Sequence, residues 1–595
     1  MSSQNTQTSN YSGLRLHAWI HIYAVAAITG ALMGIAAIGL HWLLTNVIEL
    51  SNIIADIPDD LTGRCMVIFL LPLLGFFLSF WERRKRNNFN KSLAPLILKL
   101  DRRSTAIPFY ETWAHLLSSA LSVGFGGSAG LEAPSVLTGA AIGSNVASLF
   151  RVKRISRTTL LGCGAAAGIS AVFDSPIAGV LFVAEALLPE VTVPALMPPV
   201  IASAVASTVA NAVHRWLGDS HGVLLWNFIN GWNINEIGPI ILLSFFCALV
   251  GAYIIKSTAF AAGLIHRIDG QWKRLFIGGL LACVVLFAFP FLRSQGYAQI
   301  MQLLIGDNTV YSGDSGVFMV LPKGTYVSVL IVLVAILVKP VVSAVSIECG
   351  DGGIFAPTMF IGAFTGFAFG RLLSLLGVPG VSEINFVAYG ICGVFTTVMR
   401  APIAGIFLVA ETTGAFILLA PLMIVSALSL AMGHLFEPHS IYKKALIAKG
   451  LISDNQLEAV LKRFTADRCM FKTSSVFMPN TPIAEAFEKI TSSQTKEQVF
   501  PVLGSDGGLA GVVPIDKLFS IALSHYNKDM EISEIMERPQ YIVHEDDTLD
   551  GVLSAMIANN TQFLPIVDER GVYLAFISKD TIFDKYREET EASEQ

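Results

Sequence analysis

Charge is scarce in this chain: Asp, Glu, Lys and Arg make up only 14% of its 595 residues, against about 25% in soluble domains. With 53% hydrophobic residues, that shortage excludes an ordinary water-soluble organisation and makes a membrane protein the default. The net charge of −5 comes with no basic stripe interleaved with aromatics, which gives no support for nucleic-acid binding, and no nucleic-acid partner is expected. Seven cysteines, Cys65, Cys163, Cys247, Cys283, Cys349, Cys392 and Cys469, are scattered through mostly apolar stretches without metal-ligand spacing. They are expected to be small core residues, with no metal site and no disulfide framework. The apolar part has neither a His/Asp/Glu cluster nor a paired nucleophile and base, which argues against an enzyme and assigns no catalytic residue. Met1–Gly13 lacks the charged, apolar and small-residue order of a cleaved signal, and residues 1–15 are expected to be a cytosolic tail.

Long apolar runs are abundant. Segments that suit a hydrocarbon core of roughly 30 Å include Trp19–Leu44, Met66–Trp81, Ile240–Ile255, Leu275–Leu292 and Val327–Val345, with shorter pieces broken by glycine and proline between them. Positive charge is local, at Arg83–Arg86, at Arg151, Lys153, Arg154 and Arg157, and at Lys443–Lys444. The positive-inside rule places these clusters, and with them both termini, in the cytosol. Composition changes near Glu437, where membrane-length runs stop. The expected division is a transmembrane domain over 16–438, a helical linker over 439–463, a soluble domain over 464–587 and an acidic tail over 588–595.

The membrane part contains an internal repeat. Gly130-Leu131-Glu132-Ala133-Pro134, followed by Gly139 and Gly143, matches Gly353-Ile354-Phe355-Ala356-Pro357, followed by Gly362 and Gly366. Ser175-Pro176-Ile177-Ala178-Gly179, ending at Glu185, matches Ala401-Pro402-Ile403-Ala404-Gly405, ending at Glu411. Close helix packing explains isolated membrane glycines, but not two long motifs repeated at nearly one offset. Duplicated halves with paired Gly/Pro interruptions mark a transporter whose site lies at the repeat interface. Where such a segment opens a helix, the unpaired N–H groups and about half a positive charge of the first turn make an anion site. An acid among apolar residues, as Glu132 is, suggests a functional site by default.

These motifs, together with Ser104–Pro108 and Tyr442, resemble the four anion-site elements of the CLC chloride channels and transporters. The resemblance implies an all-α polytopic membrane fold of two inverted repeats with broken helices. It also implies a homodimer with one pore per subunit and a bound chloride, with no cofactor required. Glu132 matches the gating glutamate, whose carboxylate competes with the anion and swings away when protonated. Ile354 and Phe355 match the residues whose backbone N–H groups hold the anion, and Tyr442 the tyrosine whose hydroxyl donates to it. Thr105 stands where the family has serine, and a hydroxyl there favours chloride over nitrate or fluoride. Gly130, Pro134, Gly353 and Pro357 are the helix-opening motif positions. Two departures stand out. The family's Gly-Arg-Glu-Gly-Pro has lost its arginine, and the position after Glu185, where exchangers often carry a proton-relaying glutamate, is Ala186. Channel-like or weakly proton-coupled transport is therefore expected, with a coupled chloride/proton antiporter as the alternative reading, since water or Glu185 could substitute. A non-conducting receptor would not need duplicated helix-opening motifs.

The soluble part holds two similar units, Ser475–Ala522 and Met536–Lys585, with paired inner strands at Val499–Leu503 and Phe563–Val567. It resembles an α+β cystathionine-beta-synthase (CBS) pair. Such pairs can take an adenine nucleotide, and Ser578 and Thr581 fit the contacting spacing, whereas Pro514 and Lys517 do not. A purely structural dimerisation role remains the other reading, because no Gly-rich phosphate loop settles the matter. Short loops and compact size suggest a multi-pass protein of the bacterial plasma (inner) membrane, surrounded by lipid.

Overall fold

A computed structural model describes residues 2–86, 89, 91–101, 106–152, 154–188, 193–216, 231–305, 326–448, 461, 464–493, 497–523, 530–539, 541–568 and 570–594. The chain forms two compact units, Met1–Leu446 and Ile447–Gln595.

In hydrocarbon every backbone polar group needs a partner within the protein, and the first unit meets this demand with helices. Among the described residues, eight helices are long and apolar enough to cross a membrane. The first half contains α1 (Ser2–Asp56), α2 (Leu61–Lys85), α3 (Ala94–Asp101), α4 (Glu111–Gly124), α5 (Glu132–Leu149), α6 (Arg154–Phe173), α7 (Pro176–Phe182) and α8 (Val193–Trp216). The second contains α9 (Ile237–His266), α10 (Gln271–Ala288), α11 (Tyr297–Ile305), α12 (Tyr326–Cys349), α13 (Phe355–Leu375), α14 (Glu383–Met399), α15 (Pro402–Thr413), α16 (Leu419–Phe436) and α17 (Ile441–Ala448). The polar first residues are part of α1, which starts at Ser2. Asp60 caps α2 by accepting from the Gly63 N–H at 2.9 Å. Arg83, Arg84 and Lys85 occupy the last turn of α2, where cations complement the helix's partial negative end.

The repeated motifs fold alike. α5 and α13 open on Leu131 (φ −99°, ψ −4°) and Ile354 (φ −88°, ψ −1°). α7 and α15 open on Ser175 (φ −127°, ψ 77°) and Ala401 (φ −128°, ψ 76°), each followed by a proline at the first helical position. That position suits proline because its N–H would have no intrahelical acceptor. The residues just before, Asp174 and Arg400, both adopt left-handed φ, 54° and 59°. Each is held by side-chain hydrogen bonds: Asp174 accepts from Ser207 and Asn211, while Arg400 donates to the carbonyls of Leu430 and Glu437.

Packing follows the same repeat. α5 crosses α6 where a Cβ on Gly139 would strike the Gly164 carbonyl, and one on Gly164 the Gly139 carbonyl. α13 crosses α14 in the same way at Gly362 and Gly390. α5, α13 and α14 are buried along most of their length, as helices apolar all round must be.

The second unit is α+β. β1 (Val499–Leu503) pairs antiparallel with β2 (Leu509–Pro514), and a second sheet has the order β3 (Val543–His544), β4 (Phe563–Val567), β5 (Tyr573–Ser578). β3 runs parallel to β4, and β4 antiparallel to β5. Phe477 bridges Val502 in parallel as Val543 bridges Ile566, and both hairpins shift register at the equivalent point, Val502/Leu503 and Ile566/Val567. Each half has its own core, one around Ile483, Phe500 and Val513, the other around Leu549, Leu564 and Ile577. The helix Lys579–Glu594 continues into the acidic end of the chain. Of the linker expected over 439–463, Ile441–Ala448 is helical; residues 449–460, 462 and 463 lie outside the described residues.

Candidate anion-binding site

The two Gly-x-x-x-Pro loops meet directly. Gly130 N–H donates to the Gly353 carbonyl and Gly353 N–H to the Gly130 carbonyl, both at 2.8 Å. Glycine is needed for this approach, since a Cβ on Gly353 would press on Ala133 and one on Gly130 on Glu132 and Ala356. Pro134 and Pro357 lie in the first turns of α5 and α13. The bridge therefore sets two helix N-termini side by side, with their unpaired N–H groups near one spot.

Glu132 lies on that spot, and its side chain is fully buried. Its Oε2 accepts from the Ala356 N–H at 3.3 Å, and its Oε1 from the Tyr297 hydroxyl at 2.5 Å. The carboxylate of one repeat thus caps the helix of the other. A negative group in this place gains from both the N–H donors and the helix dipole. Ile354 is the N-cap residue of α13 and Phe355 its first helical residue. The Phe355 ring is 5.4 Å from Phe173, 5.6 Å from Phe182 and 4.7 Å from Phe395, so the site has an aromatic wall. Tyr442 is 6% exposed, its hydroxyl has no hydrogen-bond partner among the described residues, and it lies within electrostatic range of Glu132. A buried hydroxyl left unpaired costs roughly 1–3 kcal/mol, which a ligand acceptor would recover. Thr105 and Ser104 lie outside the described residues. The adjoining Ile107 is tied to α5, its N–H donating to Ser144 Oγ at 3.1 Å and its carbonyl accepting from Asn145 at 3.2 Å.

A second reciprocal contact joins the repeats. Glu185 accepts from the N–H groups of Ile403 and Ala404 at 3.0 and 2.9 Å, and Glu411 from those of Ile177 and Ala178 at 3.1 and 2.8 Å. Each glutamate caps the opposite repeat's helix, so the halves are related by a pseudo-two-fold axis. Such reciprocity, i to j and j to i, is the mark of a two-fold contact. Both Glu185 oxygens are engaged in this cap, while Ala186 is half-buried in the π-helical turn Val183–Leu187. Glu185→Ala is expected to cost about 2 kcal/mol of stability through two lost charge-assisted bonds, measured as a lower thermal midpoint in detergent. An unchanged midpoint would show that the cap contributes nothing.

Two residues here were not singled out from the sequence, Tyr297 and Lys339. Tyr297 follows Gly296 after an apolar run and carries no local signal of its partner, which is 165 residues away. Lys339 did carry one, a cation inside the apolar run Val327–Val345. In the soluble unit, Ser578 and Thr581 bond to each other: the Thr581 N–H donates to Ser578 Oγ at 3.1 Å, and the Thr581 hydroxyl to the Ser578 carbonyl at 2.9 Å. A cleft of about 790 Å³ is lined instead by Pro514, Asp516, Arg538, Asn560, Thr561 and Phe563, among others.

Two inverted halves that join broken-helix N-termini around a buried carboxylate define a membrane transport protein of the duplicated, broken-helix class. Residues 74–434 match the voltage gated chloride channel family and residues 532–588 the CBS domain. The chain belongs to the CLC (voltage gated chloride channel) family. It is 30% identical over 338 residues to the H(+)/Cl(-) exchange transporter ClcA of Vibrio cholerae serotype O1, covering 55% of this chain and 67% of that one. It is 28% identical over 344 residues to the putative chloride channel protein ClcB-like of Ralstonia nicotianae, covering 55% and 73%. Among solved structures, a eukaryotic CLC transporter aligns with TM-score 0.62 at 17% identity, over 94% of this chain and 98% of that one. A slow cyanobacterial Cl-/H+ antiporter aligns with TM-score 0.61 at 19% identity, over 73% and 99%.

Proposed function

We propose that this protein carries chloride across the membrane through a pore that Glu132 closes, and that its transport is channel-like or weakly coupled to protons. The observation that carries this reading is the fully buried Glu132 carboxylate on the Ala356 N–H. It takes the place an anion would take at paired helix N-termini, with the Tyr442 hydroxyl, unpaired among the described residues, within electrostatic range. Chloride would receive N–H groups from Ile354, Phe355 and Ala356 and hydroxyls from Tyr442 and Thr105. Several neutral donors hold an ion loosely enough for it to leave. Weak coupling follows from Ala186, which cannot relay a proton, and from Glu185, whose two oxygens are already engaged.

A coupled antiporter is the second reading, favoured by the ClcA relatives, which are named H(+)/Cl(-) exchange transporters. The separating experiment drives chloride down its gradient in voltage-clamped liposomes of the purified protein and measures proton movement. Chloride flux without proton flux supports the first reading; uphill proton movement establishes the second. No flux of either ion would return the protein to a receptor role. The proposed setting is a bacterial plasma membrane with both termini cytosolic. The proposed assembly is a homodimer, which cross-linking between copies at Ile177 or Ile403, repeat partners 43% and 46% exposed, would test. The soluble pair takes either an adenine nucleotide or no ligand at all, and the engaged hydroxyls of Ser578 and Thr581 favour the latter.

A further inference from the structure

We propose that Tyr297 is both the latch that holds the Glu132 gate shut and, once the gate has swung away, a hydroxyl ligand for the passing anion. The inference rests on the reading of Glu132 as the gate and adds a residue that reading does not contain. The closed carboxylate takes two donors from other elements, the Ala356 N–H and the Tyr297 O–H, and the latter makes the shorter bond. A carboxylate and a chloride are both anions that only accept hydrogen bonds. When Glu132 leaves, the hydroxyl of the half-buried Tyr297, whose ring centroid lies 6.0 Å from that of Phe173, keeps a donor with no other hydrogen-bond acceptor among the described residues, and the incoming ion can take it. Tyr442 has the same chemistry, so a phenol from α11 and a phenol from α17 would serve one ion path.

The segment that presents Tyr297 is held in place. It runs from the 3-10 turn Pro290–Leu292 through Ser294 (φ 53°) to Gly296 (φ 95°), two left-handed residues that bend the chain back into the bundle. A Cβ on Gly296 would meet the Phe360 ring. Behind that ring lies Lys339 of α12, fully buried, with its Nζ 4.8 Å from the ring centroid. Nζ donates to the carbonyls of Leu292 at 2.9 Å and Ser294 at 3.2 Å. Carbonyls freed by a bend within a membrane bundle need such donors. Lys339 is therefore a positioning residue that acts on the gate through Tyr297. Among the described residues, the titratable groups that interact with Glu132 are Tyr297 from α11, by a hydrogen bond, and Tyr442 from α17, electrostatically.

The test uses full-length protein in liposomes. Tyr297→Phe removes one oxygen and keeps the ring. Losing a donor to the ionised carboxylate lets the gate take up its proton at higher pH, so acid activation of chloride flux should shift upward by about one pH unit, a tenfold change. In a Glu132→Gln background, where the gate no longer titrates, Tyr297→Phe should raise the half-saturating chloride concentration about tenfold, consistent with loss of a hydrogen bond to a charged group. Lys339→Met should reproduce the pH shift, and combining it with Tyr297→Phe should add little, as expected of residues acting in one chain. A wild-type pH profile in Tyr297→Phe, with half-saturation unchanged in the Glu132→Gln background, would overturn the proposal while leaving Glu132 as the gate. If Glu132→Gln itself conducts with wild-type pH dependence, the gate reading falls and the latch with it.

Discussion

Glu132→Gln is expected to raise chloride flux at neutral pH about tenfold or more, to make it independent of pH, and to abolish any proton movement. In the proposed mechanism the wild-type side chain competes with the anion because it is itself an anion, seated on the Ala356 N–H and the Tyr297 hydroxyl. Hydrogen bonds to an ionised group are roughly twice as strong as neutral ones. A neutral amide of the same shape loses that advantage, so chloride, which keeps its charge, displaces it. The amide also cannot take up or release a proton between pH 4 and 8, which removes both the acid activation and any carriage of protons. The measurement is chloride efflux from liposomes between these pH values. Flux that stops in the variant would show that Glu132 is needed for conduction and is not a gate.

Gly164→Val is expected to yield no monodisperse protein. At the crossing of α5 and α6, the Gly139 and Gly164 carbonyls each occupy the place where the other residue's Cβ would stand. Overpacking a core usually costs about 1–3 kcal/mol because side chains can turn aside. Here the obstacle is backbone on both helices, and neither can move without displacing the other. α5 opens at Glu132, so any separation of the pair also moves that carboxylate. Size-exclusion chromatography of the detergent-solubilised variant is the check, with Gly238→Ala in α9, where a Cβ meets nothing within 4 Å, as the control that should elute as wild type. A Gly164→Val peak like that of the control would mean that the helices can part at little cost.

The parts of this protein that were legible in the sequence are those whose signal is local or repeated. Glycine and proline at fixed offsets announced where helices break, because only those residues satisfy the backbone there. Glu132 was conspicuous because a carboxylate among apolar residues needs a reason. The strands Val499–Leu503 and Phe563–Val567 were legible as short apolar runs of β-forming residues, and β1 and β4 have these bounds. Tyr297 was not, since a tyrosine after an apolar run is ordinary until the fold brings it across 165 residues to Glu132. Lys339 was visible as an oddity, but the two carbonyls it satisfies belong to a bend of α10–α11 that no spacing reveals.

Sequence alone determined the membrane class, the duplication, the family and the gate candidate, because hydropathy, paired Gly/Pro motifs and an isolated acid are properties of the chain itself. Only the tertiary structure decided what each acid contacts. Glu132 and Glu185 both cap a helix of the other repeat, yet Glu132 is fully buried and bonded to the Tyr297 phenol, whereas Glu185 stands at a helix junction with both oxygens engaged. The difference lies in which donors the pseudo-two-fold brings to each carboxylate and in how much water the packing excludes, and both depend on contacts more than 200 residues apart in the chain.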